Sequence, residues 1–330
     1  MNITLHNHSG MTLQFSPIGA TWLSCLLPLS DGSIRDVLLQ CADVSQNSEA
    51  FIGSTIGRYS NRIKNATLQH NFTHYQLIAN QGTHQLHGGV QGFHTQRWQM
   101  INQQQNRVIF GLMSENGEQG FPGEVKATVD FMLTEQNEVV INYIATTDKL
   151  TPINLTNHAY FNLDGGGDIK EHQLYVDADY YLPVDREGIP ESDLKSVTAG
   201  DMDLRELQKI SEHFLRSKDR QLLNGYDHAY LLNPAAKNLQ QPAVVLVSSD
   251  QEVTLQVLTN KPAVQIYTGN NLKGTKGKMG IYQNYAGIAI ETEFLPDSPN
   301  RPDWPHQSSW FNDKEFYCYT TIYRFSVGKK

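Results

Sequence analysis

Five stretches gather ionisable and polar side chains where apolar runs break: "GRYSNRI" (57–63), "HQLHGG" (84–89), "NLTNHAYFN" (154–162), "GYDHAY" (225–230) and "AIETEF" (289–294). Together they supply Arg62, His87, His158, Asp227 and Glu291. Glu291 interrupts "YAGIAIETEFLPDSP" after small and apolar residues. A carboxylate entering such a strand must be paired, hydrogen-bonded or raised in pKa, and a pKa raised toward neutrality suits a general base. His158 lies among Asn154, Thr156 and Asn157, which can hold an imidazole without charging it. On residue type alone it reads as a neutral core histidine that ties loops together.

The other candidates have two readings each. His87 precedes Gly88-Gly89 and is either hydrogen-bonded in a tight turn or part of a pocket wall, because residues without Cβ let a backbone approach a ligand. Arg62 is a surface arginine on an edge, or, with Asn61 beside it, half of a forked donor and amide pair that suits vicinal hydroxyls. Asp227, followed by His228, is a solvated turn carboxylate or a site residue. His84 and His87 form an H-x-x-H pair, but no nearby acidic or cysteine ligand completes a metal set. His70 and His74 flank "NFT" in an expected hairpin and read as surface residues.

The elements that must carry these groups are mostly strands. Alternating runs at 107–113, 138–147, 243–249, 252–259 and 319–327 read as half-buried strands. Between them lie Gly, Pro, Asn and Asp clusters such as "SENGEQGFPGE" and "NLDGGGD", which is turn chemistry. Strands meeting through turns imply antiparallel sheets. The best helical candidate is "DLRELQKISEHFLRS" (203–217), with Leu204, Leu207, Ile210, Phe214 and Leu215 at helical spacing. The expected fold is mainly β, a large antiparallel β-sandwich with few short helices, forming a single domain over residues 1–330.

Composition narrows the partners. The chain has 330 residues and a formal net charge of -8, with no basic stripe of the kind nucleic acid or an acidic membrane requires. No run of about 18 apolar residues and no export signal is seen. Cys25, Cys41 and Cys318 make neither a disulfide framework nor a zinc motif, so a reducing, cytoplasmic setting is expected.

Read together and in order, these stretches resemble the aldose 1-epimerase (galactose mutarotase) family. The resemblance is carried by Gly57-Arg58 with Asn61-Arg62-Ile63, Leu86-His87-Gly88-Gly89, Gly120-Phe121-Pro122-Gly123 and Pro152 to Asn162 around Asn157-His158. It continues through Gly225-Tyr226-Asp227-His228, Gln265 to Asn270, and Glu291-Thr292-Glu293 with Pro296-Asp297. It implies a galactose-mutarotase-like supersandwich that interconverts the α and β anomers of a free aldose. It further implies Glu291 as general base and His158 as general acid, with His87 beside them and Asn61, Arg62, Asp227 and Gln265 binding sugar hydroxyls. That chemistry moves protons only, so no cofactor and no metal are expected, and a monomer or homodimer would suffice.

Two departures touch substrate choice. The family often has Gln two residues after the base where this chain has Glu293, and an Ile-Pro-Thr-Gly stretch reads Ile189-Pro190-Glu191-Ser192. If "IAIETEF" is a strand, residues 291 and 293 share a face about 6.5–7 Å apart at Cα, and Glu293 should raise the pKa of Glu291 by an amount that added salt weakens. The other possibility is a bend before "LPDSP" that turns Glu293 into water. Competing functions are a hexose-6-phosphate 1-epimerase, in which Arg58 and Arg62 would meet the phosphate, a glycoside hydrolase using Asp227 and Glu291, and a non-catalytic sugar-binding sandwich.

Overall fold

The computed structural model describes residues 2–328 except 48, 192, 199, 213, 279 and 306; Ser192 of the second departure, His213 of the helical candidate and both chain ends lie outside the described residues. The expected strands appear as Arg107–Ser114, Glu138–Thr147, Val244–Val247, Val253–Thr259 and Tyr317–Val327, and all five lie in one antiparallel nine-stranded sheet. Their side-chain alternation does the sorting. Tyr317, Tyr319, Thr321, Tyr323 and Phe325 are buried, while Cys318, Thr320, Ile322 and Arg324 face outward or lie half-buried.

A four-stranded sheet, Ile3–His6, Thr12–Ser16, Thr21–Pro28 and Ile34–Asp36, closes one side of the core. Phe15 meets Phe131 of the large sheet with ring centroids 4.5 Å apart, and Trp22 meets Tyr323 at 5.7 Å. A six-stranded sheet runs Tyr160–Phe161, Ile288–Glu293, Ala263–Tyr267, Asp227–Leu231, Tyr180–Tyr181 and Lys195–Ser196. Phe161 carries it into the same core, 6.1 Å from Trp22. This mainly β architecture matches the sequence-based fold class.

The helical candidate is corrected. Within 203–217 the described residues form turns and a short edge strand, Gln208–Lys209, paired with Gln173–Leu174 of the large sheet. Among the described residues the α-helix is Lys218–Leu222, just beyond it. Leu204 and Ile210 do reach the core, but Leu207 is exposed, and the amides of Ile210 and Ser211 are taken by the carbonyls of His172 and Lys170. A sheet edge that satisfies those groups outweighs a marginal helical preference. Among the described residues no helix is long and apolar enough to cross a membrane.

Candidate active site

The six-stranded sheet builds the floor of a cleft of about 500 Å³. Gln265 is paired with Glu291 and with Ala229, Tyr267 with Ala289 and Asp227, and Tyr160 with Ala289. Directly paired residues point to the same side, so one face presents Tyr160, Glu291, Glu293, Gln265, Tyr267 and Asp227 together. The intervening Ile288, Ile290, Val264 and Ile266 go to the core on the other face. "IAIETEF" is therefore a strand whose apolar positions anchor it and whose acidic positions face the site. The bend that would have put Glu293 in water does not occur, because the strand continues through Glu293 and that side chain is fully buried.

His158 enters from the link between Thr156–Asn157 and Tyr160–Phe161. Its N–H donates to Ser54 O and its carbonyl accepts from Gly53 N–H, both at 2.9 Å. Asn157 locks the same link, donating from Nδ2 to Gly53 O at 2.8 Å and accepting from Ala159 N–H at 3.0 Å. The amides thus fix the backbone and leave the ring to the cleft, with Nε2 3.4 Å from Glu291 Oε1. His158 Nδ1 and Glu291 Oε2 are both buried without a protein partner. Such atoms mark where a polar ligand would bond.

His87 arrives through the His-Gly-Gly corner, with φ of 53°, 83° and 92° in turn. A Cβ on Gly88 would fall 2.0 Å from the carbonyl oxygen of Gly57, so only glycine fits that position. His87 Nδ1 accepts from Asn61 N–H at 3.1 Å, which leaves the ring proton on Nε2. The His87 and His158 rings are 5.3 Å apart, and Phe51 packs edge-on to His87 at 4.6 Å.

Arg62 is held from both sides. Its Nε donates to Gln81 Oε1 at 2.8 Å and a terminal nitrogen lies 3.7 Å from Asp227 Oδ2. Gln265 Nε2 donates to Asp227 Oδ1 at 2.6 Å, and Gln265 Oε1 has no protein partner. All seven candidates, Asn61, Arg62, His87, His158, Asp227, Gln265 and Glu291, line this cleft. Sequence reasoning missed Glu49, Phe51, Gln81 and the 271–275 rim, which also line it. Tyr160 and Tyr267 stood inside the quoted stretches and could have been found by strand alternation; Phe51 and Gln81 carry no such signal.

Burial dominates the electrostatics. It raises the Glu291 carboxyl well above the usual range, with the charges of Glu293 and Asp227 adding and Arg62 opposing. It pushes the His158 imidazole down to about 3 and the His87 imidazole well below its usual value. Burial therefore favours a neutral imidazole beside a protonated carboxyl. Donor atoms of His87, His158 and Glu291 lie within 4.8 Å of one another, a grouping that could take a metal ion as well as handle protons. The H-x-x-H pair itself does not converge: His84 turns away to Glu187 at 3.4 Å, and its Nδ1 accepts from Asn65 N–H. His70 packs against the Trp310 ring at 4.7 Å, and His74 is exposed.

Comparison with known proteins gives the family. Residues 1–324 match the family described as aldose 1-epimerase. An aldose 1-epimerase of Escherichia coli K12 is 45% identical over 327 residues, covering 98% of this chain and 94% of that protein. A galactose mutarotase of Bos taurus is 38% identical over 305 residues, covering 90% and 86%. The crystal structure of a GalM/aldose epimerase homologue from C. elegans superposes with a TM-score of 0.91 at 30% identity, covering 99% of each chain. With likeness of this degree along nearly its whole length, the chain belongs to the aldose 1-epimerase family.

Proposed function

We propose that this protein interconverts the α and β anomers of free aldoses such as galactose and glucose, with Glu291 and His158 as the proton carriers. The observation that carries the assignment of roles is the 3.4 Å approach of His158 Nε2 to Glu291 Oε1, in a cleft whose other walls are hydroxyl-binding groups. An anomer changes only if the hemiacetal opens. Glu291, ionised, takes the proton of the C1 hydroxyl while His158, protonated, gives one to the ring oxygen, and the C1–O5 bond breaks. Afterwards Glu291 is a carboxyl and His158 a neutral imidazole, the state that burial favours. Rotation about C1–C2 follows, then His158 removes the proton from the C5 hydroxyl and Glu291 returns one to the carbonyl oxygen.

Arg62, Asp227, Gln265 and Asn61 hold the hydroxyls, and His87 offers its Nε2–H beside the ring oxygen. The charged form of the proton pair costs desolvation. Hydroxyl donors of the bound sugar and the Arg62 charge offset that cost, so the pair ionises when substrate is present. The pocket accepts a small-molecule aldose, and we further read the chain as one cytoplasmic domain over 1–330 acting as monomer or homodimer.

The rival readings lose support at particular residues. Arg58 is buried away from the cleft, donating to Ser114 and to the carbonyls of Glu115, Pro122 and Gly123, so it is not placed to meet a sugar phosphate. That leaves Arg62, engaged by Asp227, and Lys273 at the rim. Asp227 accepts from Gln265 on one oxygen and pairs with Arg62 at 3.7 Å on the other, which suits ligand positioning better than a second hydrolytic carboxylate. Polarimetry on freshly dissolved α-galactose and α-glucose is the test. A rate above the buffer control is expected with at least one sugar, and no acceleration with either would end the proposal.

A further inference from the structure

Glu293 is fully buried two residues past the base, and the proton transfers above give it nothing to carry. Its Oε2 accepts from Ser60 Oγ at 2.7 Å and its Oε1 from Asn61 Nδ2 at 2.8 Å. Asn61 in turn occupies a left-handed backbone conformation, with φ of 65°. Its side-chain oxygen accepts from Arg62 N–H at 2.8 Å. Its N–H donates to His87 Nδ1 and its carbonyl accepts from His87 N–H, each at 3.1 Å. One residue thus connects Glu293 to both the sugar-binding arginine and the histidine of the glycine corner.

We infer that Glu293 is a positioning residue, which clamps Asn61 from beneath the cleft and through it sets the places of Arg62 and His87, while the caged ammonium of Lys261 serves as its counter-charge. Lys261 is fully buried, donates to Leu155 O at 3.0 Å and to the Tyr317 hydroxyl, and is ringed by aromatic faces. Its Nζ lies 4.6 Å from the Tyr317 and Tyr319 centroids, 5.4 Å from Phe294 and 5.7 Å from Tyr143. Ring faces attract a cation in such a site. Burial pushes the Lys261 ammonium well below and the Glu293 carboxyl above their usual values, and against it the two favour each other's charged forms. The clamp uses one of the two N–H groups of Asn61 Nδ2, so the other remains for a sugar hydroxyl.

This inference rests on the assignment of Arg62 and His87 to the sugar pocket, and its test separates the two. In E293Q the glutamine keeps both bonds, accepting from Asn61 and donating to Ser60 Oγ, whereas E293A keeps neither. N61D sets two carboxylates face to face, and N61D/E293Q restores the bond with its polarity reversed. On the pH plateau common to wild type and variants, E293Q should hold kcat and KM within about threefold, while E293A and N61D should lose about tenfold or more in kcat/KM with KM raised. The double variant should recover the part of the N61D loss that comes from the broken clamp, leaving the part due to the sugar-facing N–H that aspartate lacks. A role in folding alone would lower Tm without moving KM and without that rescue. E293A with wild-type kcat and KM, or a double variant no better than N61D, would overturn the clamp. Imidazole nitrogen NMR decides it without any turnover. Wild type should keep His87 as the pure Nε2–H tautomer and E293A should mix the two; an unchanged tautomer in E293A contradicts the clamp, whereas wild-type inactivity toward aldoses bears only on the proposed function.

Discussion

Replacing Glu293 by Gln should shift the alkaline limb of the rate profile to lower pH. The two carboxylates sit on one strand face, alternate residues about 6–7 Å apart. At an effective dielectric of about 20, two unit charges at that separation repel by about 2–3 kcal/mol, or ~2 pKa units. Lys261 offsets part of the Glu293 charge, so a shift of ~1 unit is expected. Burial raises Glu293 to about 7 and Glu291 well above its usual range, and the Glu293 charge adds to the rise at Glu291, so the two carboxyls titrate together. The Glu291–His158 pair needs one proton, held by Glu291 at rest and by His158 at work, so kcat/KM is lost as pH rises through the Glu291 pKa and that proton goes to solvent.

In E293Q, Glu291 keeps Asp227, Arg62, His87 and His158 around it but loses the Glu293 charge, so the limb lies lower and follows a single proton. The remaining groups around Glu293, namely Ser60, Asn61, Lys261, Tyr59 and Tyr317, are unchanged in the variant. The assay is kcat/KM against pH by polarimetry at low and high salt. Because both carboxylates are buried, the difference should persist when salt is added, contrary to the sequence-based expectation that added salt weakens it. Superimposable profiles would refute the coupling, and a difference that vanishes with salt would refute the buried geometry.

His158→Asn should lose at least ~10²-fold in kcat with folding retained, since an amide can bond the ring oxygen but cannot protonate it; near-full activity returns His158 to a structural role. Asp227→Ala frees Arg62 and Gln265 together, and Arg62→Ala removes the forked donor, so both should raise KM and slow turnover where those bonds orient the ring; unchanged constants in both remove them from the site. Prolonged EDTA treatment should leave activity intact despite the ligand-like grouping of His87, His158 and Glu291, whereas loss restored by a divalent metal would contradict the proton-only mechanism.

How much of this was legible in the sequence follows from the range of each signal. Strand alternation is local, so Glu138–Thr147 and Tyr317–Val327 could be read directly. The strand carrying Glu291 was legible for the same reason, with its isoleucines and acids on opposite faces. The stretch around Leu207 was not, because the partner that captures its backbone is Gln173–Leu174, more than thirty residues earlier. Candidate residues were visible as types, but their convergence depends on long-range pairing, as between Gln265 and Glu291. The same limit hid the burial of Arg58, whose acceptors lie at 114–123, and the bond from Asn61 to Glu293 across 232 positions.

The central claim is that Glu291 moves the proton of the anomeric hydroxyl, and Glu291→Gln tests it with shape preserved and the proton acceptor removed. Two-dimensional NMR exchange between the α and β anomeric protons of galactose at equilibrium reads the interconversion with no coupled enzyme. Wild type should create exchange cross-peaks at mixing times where buffer shows none, and folded E291Q should lower that rate by at least ~10²-fold; a folded E291Q that exchanges the anomers as fast as wild type would contradict the account.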